Sequence, residues 1–127
     1  MNIIKGSALQ FIPASHEDVR DPGVFKKVLL GKTDILSGKI QMINWALLPA
    51  QKSFRLHYHE DMEEIFILTS GRVMMRVNGG ESEMEKGDTV VVPMKSAHEM
   101  INLGDMDAEY IVIGVTTEKG GKTIVVE

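Results

Sequence analysis

From Val24 onward the chain is a succession of short β-type runs separated by turn residues. Val24 to Leu30, Ile40 to Leu48, Phe54 to His59, Glu64 to Thr69 and Arg72 to Asn78 come first. Thr89 to Val92, Glu99 to Asn102, Glu109 to Val115 and Thr123 to Val126 follow at the same pace. The breaks are Asn78-Gly79-Gly80, Gly87-Asp88, Gly104-Asp105 and Gly120-Gly121, residues that tolerate the positive φ of tight turns. Runs of this length at this spacing predict an all-β sandwich or barrel. Ser82 to Lys86 has the length of a helical turn, but its Gly-rich flanks favour a hairpin excursion.

Residues 1–23 read differently. Ile3-Ile4 and Leu9 to Ile12 are followed by Pro13 and the polar run Ser15-His16-Glu17-Asp18, and Asp21-Pro22-Gly23 forms a turn. The expectation is one domain overall: an N-terminal edge strand and loop over 1–23, then a β-barrel over 24–127. His16, among Ser, Glu and Asp, reads as a solvated loop residue with no role.

At 127 residues and 43% apolar, a self-sufficient core needs neither disulfide nor structural metal. The absence of cysteine removes thiolate ligands and thiol nucleophiles. A net charge of -4 without a basic cluster argues against nucleic acid as a partner. No apolar stretch approaches the roughly 20 residues of a membrane span, and no basic start precedes an apolar run. The expected location is the cytoplasm, with no membrane partner. Nine methionines read as core filler, and Trp45 as packing with a pocket wall as the sharper alternative.

Chemistry concentrates in Leu56-His57-Tyr58-His59-Glu60-Asp61-Met62-Glu63-Glu64, which holds two of the four histidines. On a strand, His57 and His59 share a face with Cβ atoms roughly 7 Å apart, so both imidazoles can converge on one divalent ion. Glu64 opens the next strand after a tight loop; Glu63, one residue earlier, would face the other side. His98 begins a later strand with Met100 and Asn102 on its face. The bland alternative is a hydrogen-bonded histidine cluster without an ion. Arg55 has the parity of His57 and His59, which on a regular strand aims its guanidinium at the same cavity to clamp a substrate carboxylate. A surface salt bridge or an outward kink is the competing expectation for Arg55.

Two spaced motifs now stand together. His57-x-His59, Glu64 and Gly71 match the first motif of the cupin superfamily. Gly87, Pro93, His98 and Asn102 match the second. The chain therefore resembles a small single-domain metal-binding cupin. The resemblance implies a double-stranded β-helix, or jelly-roll barrel, that holds one divalent transition metal through His57, His59, Glu64 and His98. Mn, Fe, Ni, Zn and Cu are not distinguished. Gln51 stands where the first motif usually opens with glycine, and Lys95 replaces the glycine after Pro93, which puts the geometry of those two turns in question.

The implied function is a metalloenzyme acting on a small oxygenated or carboxylate-bearing molecule. Oxygenase, decarboxylase, isomerase and lyase chemistries all occur on this framework. The alternative is a non-catalytic barrel that binds or senses a small ligand. No general acid or base stands out: Tyr58 and Glu99 alternate away from the metal face, Tyr110 reads as barrel wall, and Glu60 and Asp61 as solvated loop. The resemblance also implies a homodimer formed through N-terminal strands.

Overall fold

The computed structural model describes residues 4–34, 39–116 and 122–127. A single 3-10 turn, Gly6–Ala8, precedes eleven strands among the described residues. These are β1 (Ile12–Pro13), β2 (Phe25–Gly31), β3 (Ile40–Leu48), β4 (His57–His59), β5 (Met62–Ser70), β6 (Arg72–Val77), β7 (Gly80–Glu85), β8 (Thr89–Val92), β9 (His98–Ile101), β10 (Ala108–Thr116) and β11 (Thr123–Val125). They form two antiparallel sheets, ordered β1-β2-β3-β10-β5-β8 and β11-β4-β9-β6-β7. This is the expected all-β jelly roll. The turn expected at Gly120-Gly121 lies outside the described residues, and no helix among them is long and apolar enough to cross a membrane.

Period-2 alternation decides which residues face the space between the sheets. Along β10, Ala108, Tyr110, Val112, Gly114 and Thr116 are buried while the residues between them are half-buried. Register aligns the inner rows: Glu64, Gly114 and Met42 in one, Phe66, Val112 and Asn44 in the next, Leu68, Tyr110 and Ala46 in the third. Leu48, Phe54, Leu68, Val92 and Met100 are almost wholly inaccessible. Met62, Met75, Met84 and Met100 are buried with them, as gap-filling thioethers should be. Ser82 to Lys86 does form a hairpin arm: β7 folds back on β6 across Asn78 (φ 50°) and Gly79 (φ 84°), the two positive-φ positions of a two-residue turn.

Trp45 lies on the outer face of β3, edge-on to Phe11 with ring centroids 6.4 Å apart and Lys27 Nζ 5.0 Å from its ring. It is external packing rather than a pocket wall.

The loop before β2 departs from the solvated segment expected there. Glu17 is 9% exposed, and its carboxylate accepts the Gly23 N–H at 2.7 Å and the Arg55 N–H at 3.0 Å. Two backbone donors distant in sequence thereby pin the loop across one end of the barrel. Gly23 is obligatory there because a Cβ would lie 1.9 Å from the Ser53 carbonyl oxygen. His16, carried on this pinned loop, is folded inward with Glu17.

Candidate metal centre

His57 and His59 are the outer residues of the three-residue β4, so strand parity puts both on its inner face. His98 sits opposite His57 in register on β9. Glu64 reaches across from the other sheet on β5, where Met62, Glu64, Phe66 and Leu68 all point inward. All four side chains are buried, His98 completely, and one ligand atom from each lies within 4.8 Å of the other three. Glu63, half-buried on the opposite face of β5, is not part of the group.

The hydrogen bonds around the imidazoles say what the cluster is built to hold. His57 Nδ1 meets the Arg55 carbonyl, and His98 Nδ1 meets the Ser96 carbonyl at 2.9 Å. A carbonyl only accepts, so each Nδ1 carries the proton and each Nε2 of a neutral ring is left with a bare lone pair. His59 Nδ1 is 3.1 Å from Thr123 Oγ1. The Nε2 atoms of His59 and His98 then point at Glu64 Oε1, at 2.8 and 3.1 Å. For His98 this sets a lone pair against a carboxylate unless the ring becomes a buried imidazolium. A divalent cation between them resolves the conflict by accepting all these lone pairs together. The donor set therefore fits a metal: three imidazole nitrogens, each oriented by a second hydrogen bond, and one carboxylate.

The electrostatics agree. Burial pushes the Glu64 carboxyl up, but the His59 and His98 rings, where protonated toward it, outweigh burial and hold Glu64 well below the usual carboxylate range, so the group stays anionic. Burial, with His16 and His98 nearby, pushes His57 down to about 3, so it stays neutral and ligand-competent at neutral pH. Phe54 and Phe66 pack on the His98 ring at centroid distances of 5.9 and 5.8 Å, lining the site with apolar surface.

A cavity of about 280 Å³ opens beside His57, His59 and Glu64, and His16, Lys26, Met42, Asn44 and Tyr110 are among the other residues that line it. Arg55 is not among the residues that line it. Its side chain is 44% exposed and its guanidinium lies 3.9 Å from Glu127. The expectation that Arg55 points inward with His57 and His59 is thus corrected. Regular strand begins only at His57, residues 54–56 lie outside it, and the Arg55 backbone is committed to Glu17 and His57, so parity does not carry back to its side chain.

Four other cavity residues escaped the sequence reading. His16 stacks on His57. Tyr110, 3% exposed, has its phenol pushed up by burial and by Glu64 and Glu17, so it remains a protonated donor. Asn44 had a readable signal, an amide at an inward position between Met42 and Ala46 of an apolar strand. Lys26 had none, standing beside an identical residue.

A jelly roll with three histidines and one carboxylate gathered between its sheets has the architecture of the cupins. The chain belongs to that family: residues 44–114 match the cupin domain. It is 30% identical over 87 residues, 68% of each chain, to an uncharacterized protein of Methanocaldococcus jannaschii. It is 27% identical over 85 residues to an oxalate-binding protein of Thermotoga maritima, covering 67% of this chain and 69% of that one. A crystal structure of a predicted oxalate decarboxylase from Thermotoga maritima superposes with a TM-score of 0.80 over 91% of this chain and 99% of that one, at 24% identity.

Proposed function

We propose that the protein is a metal-dependent enzyme that coordinates one divalent transition ion through His57, His59, Glu64 and His98 and acts on a small carboxylate-bearing molecule held against it. The observation that carries this reading is the orientation of the imidazoles: Nδ1 of His57 and of His98 is committed to a carbonyl, leaving Nε2 directed into a shared, buried point. The likeness to an oxalate-binding relative supports a carboxylate ligand. A bound ion would supply Lewis acidity toward a ligand oxygen in a position the four protein ligands leave open.

The chain's own residues supply the rest. Phe54 and Phe66 exclude water from one side of the centre. Tyr110 offers a phenol that stays protonated and so can donate a hydrogen bond to an oxygen of the ligand. Glu64, with its oxygen committed to the histidines, is unsuited to act as a base. The test is elemental analysis after dialysis and reconstitution, with turnover of small acids followed by product detection. One equivalent of metal with turnover is expected; one equivalent with ligand-induced thermal shift and no product would favour a binding barrel instead. No uptake of Mn, Fe, Ni, Zn or Cu would overturn the reading.

A further inference from the structure

On the sheet opposite the three histidines, the cavity is lined by two polar groups that no partner among the described residues accounts for: a buried amide oxygen without a hydrogen bond, and an inward-facing lysine without an acid. Asn44 is 7% exposed, and its Oδ1 has no hydrogen-bond partner. Burying an amide atom without a partner is destabilising, and a flip about its last torsion lets the amide present either its oxygen or its NH2 group. Lys26 is the second. It lies opposite Ala46 in register, hence on the inner face of β2, whereas its neighbour Lys27 turns outward onto Phe11 and Trp45. Lys26 is half-buried, burial depresses its ammonium below the ordinary value, and no carboxylate among the described residues pairs with it. An inward-facing ammonium without an acid partner leaves a positive charge at the cavity for an anion to meet.

We infer that Lys26 and Asn44 form the recognition end of this cavity, holding a carboxylate of the ligand at the wall across from the three imidazoles. The inference rests on the proposed metal reading and goes beyond it by naming the ligand class: a small molecule with one oxygen end for the metal and a carboxylate at the other. The two subsites lie on different strands, Glu64 on β5 and Lys26 three strands away on β2, with Asn44 on β3 between them. The volume of about 280 Å³ equals roughly nine waters at about 30 Å³ each, which suits a four-carbon dicarboxylate. Lys32, also at this cavity, adds positive potential that favours anion entry into an otherwise acidic protein.

The experiment uses the full chain loaded with Mn²⁺ and measures the affinities of succinate, succinamate and acetate by calorimetry. Succinate should bind more tightly than succinamate, in which one carboxylate is an amide, by about tenfold or more, the scale of one charge-assisted hydrogen bond. Lys26→Met should keep one manganese per chain and erase that difference. Asn44→Leu should weaken succinate further than acetate, and Arg55→Ala should change neither. If Asn44→Leu does not fold, Lys26→Met decides alone. A chain that binds manganese but takes succinate no better than succinamate, or equally well with Lys26→Met, overturns this inference and leaves the metal reading standing. A chain that takes up no manganese overturns both.

Discussion

The imidazole of His16 lies stacked on that of His57, with ring centroids 4.2 Å apart and planes inclined by 28°. One ring belongs to the candidate metal cluster and the other to a loop more than forty residues earlier in the chain, so the N-terminal segment forms part of the wall around the site. His16 also meets Phe54 edge-on at 5.8 Å, which completes a continuous ring cluster from the loop to His98. Stacked rings are worth about 0.5–1.5 kcal/mol beyond the area they bury. His16→Ala should therefore lower stability by about 1–3 kcal/mol while retaining one metal per chain, and His16→Phe, which preserves a flat ring, should restore most of the loss. Thermal unfolding with parallel elemental analysis reads both, and loss of metal in His16→Phe would mean that His16 itself is a ligand.

Glu17 supplies the force that brings His16 there. Its carboxylate takes two backbone donors, from Gly23 and Arg55, and hydrogen bonds to a charged group contribute about 1.5–3 kcal/mol each. Glu17→Ala leaves both N–H groups unpaired at the barrel end. The expected loss is about 2–4 kcal/mol, seen as a lower urea midpoint and as faster proteolysis within residues 14–23. An unchanged midpoint would show that the loop is held by other contacts.

The histidines of the centre were readable from sequence because their geometry is local. His57 and His59 need only a strand's period of two, and the spacings to Glu64 and His98 place two further strands. His16 was misread, and of the two expectations for Arg55 the inward one failed, for the complementary reason. Parity cannot be extended from His57 back to Arg55, since the backbone there is loop, and the burial of His16 depends on Glu17 bonding to residues 6 and 38 positions away. Nothing within the Ser15-His16-Glu17-Asp18 run distinguishes it from a solvated loop. Strand ends were similarly approximate: Met62 and Glu63 belong to β5, ahead of the expected start at Glu64, because pairing with Val115 and Thr116 extends the ladder.

Glu64 is the only carboxylate in the buried group and comes from the opposite sheet to the three histidines. Glu64→Gln keeps shape and removes charge, so His59 and His98 retain a neutral hydrogen-bonding neighbour while the ion loses its anionic ligand. Metal affinity should fall by about a hundredfold or more, at or beyond the 10–100-fold typical of losing a supporting group, with the fold intact by circular dichroism. Competition against a chelator of known affinity measures it.

Acid should destabilise the chelator-treated protein earlier than ordinary carboxylates would. Folding lowers His57 from 6.5 to about 3, so between those values the unfolded chain holds a proton that the folded chain does not. Stability from this group is complete above about pH 6.5 and is lost as pH falls toward 3. Glu64, also lowered by folding, adds a loss in the same direction below about 4.5, the ordinary carboxyl range. Urea midpoints of the metal-free chain should thus fall between pH 7.5 and 5, and His57→Asn should flatten that part of the profile. A midpoint independent of pH over this interval would contradict the buried neutral imidazole.

The two turns that lack the family's glycine keep the glycine conformation. Gln51 has φ 65° and Lys95 φ 63°, and the left-handed region costs a residue with a Cβ about 1–2 kcal/mol. The two side chains compensate differently. Gln51 Nε2 donates to the Leu103 and Gly104 carbonyls at 2.8 and 2.6 Å, bracing the turn against the loop that follows β9. The Lys95 side chain is exposed, and the local bond that matters, its backbone N–H to the His59 carbonyl at 2.7 Å, does not depend on side-chain identity. Lys95→Gly should therefore relieve strain at the cost only of extra freedom in the unfolded chain, about 0.4–1 kcal/mol, for a net effect between neutral and about 1 kcal/mol stabilising. Gln51→Gly gains the same relief but loses two hydrogen bonds of about 0.5–1.5 kcal/mol each, so it should be neutral to destabilising by about 3 kcal/mol. Urea midpoints of the pair at unchanged slope should order as Lys95→Gly above Gln51→Gly, and the reverse order would mean that the Lys95 side chain braces its turn as Gln51 does.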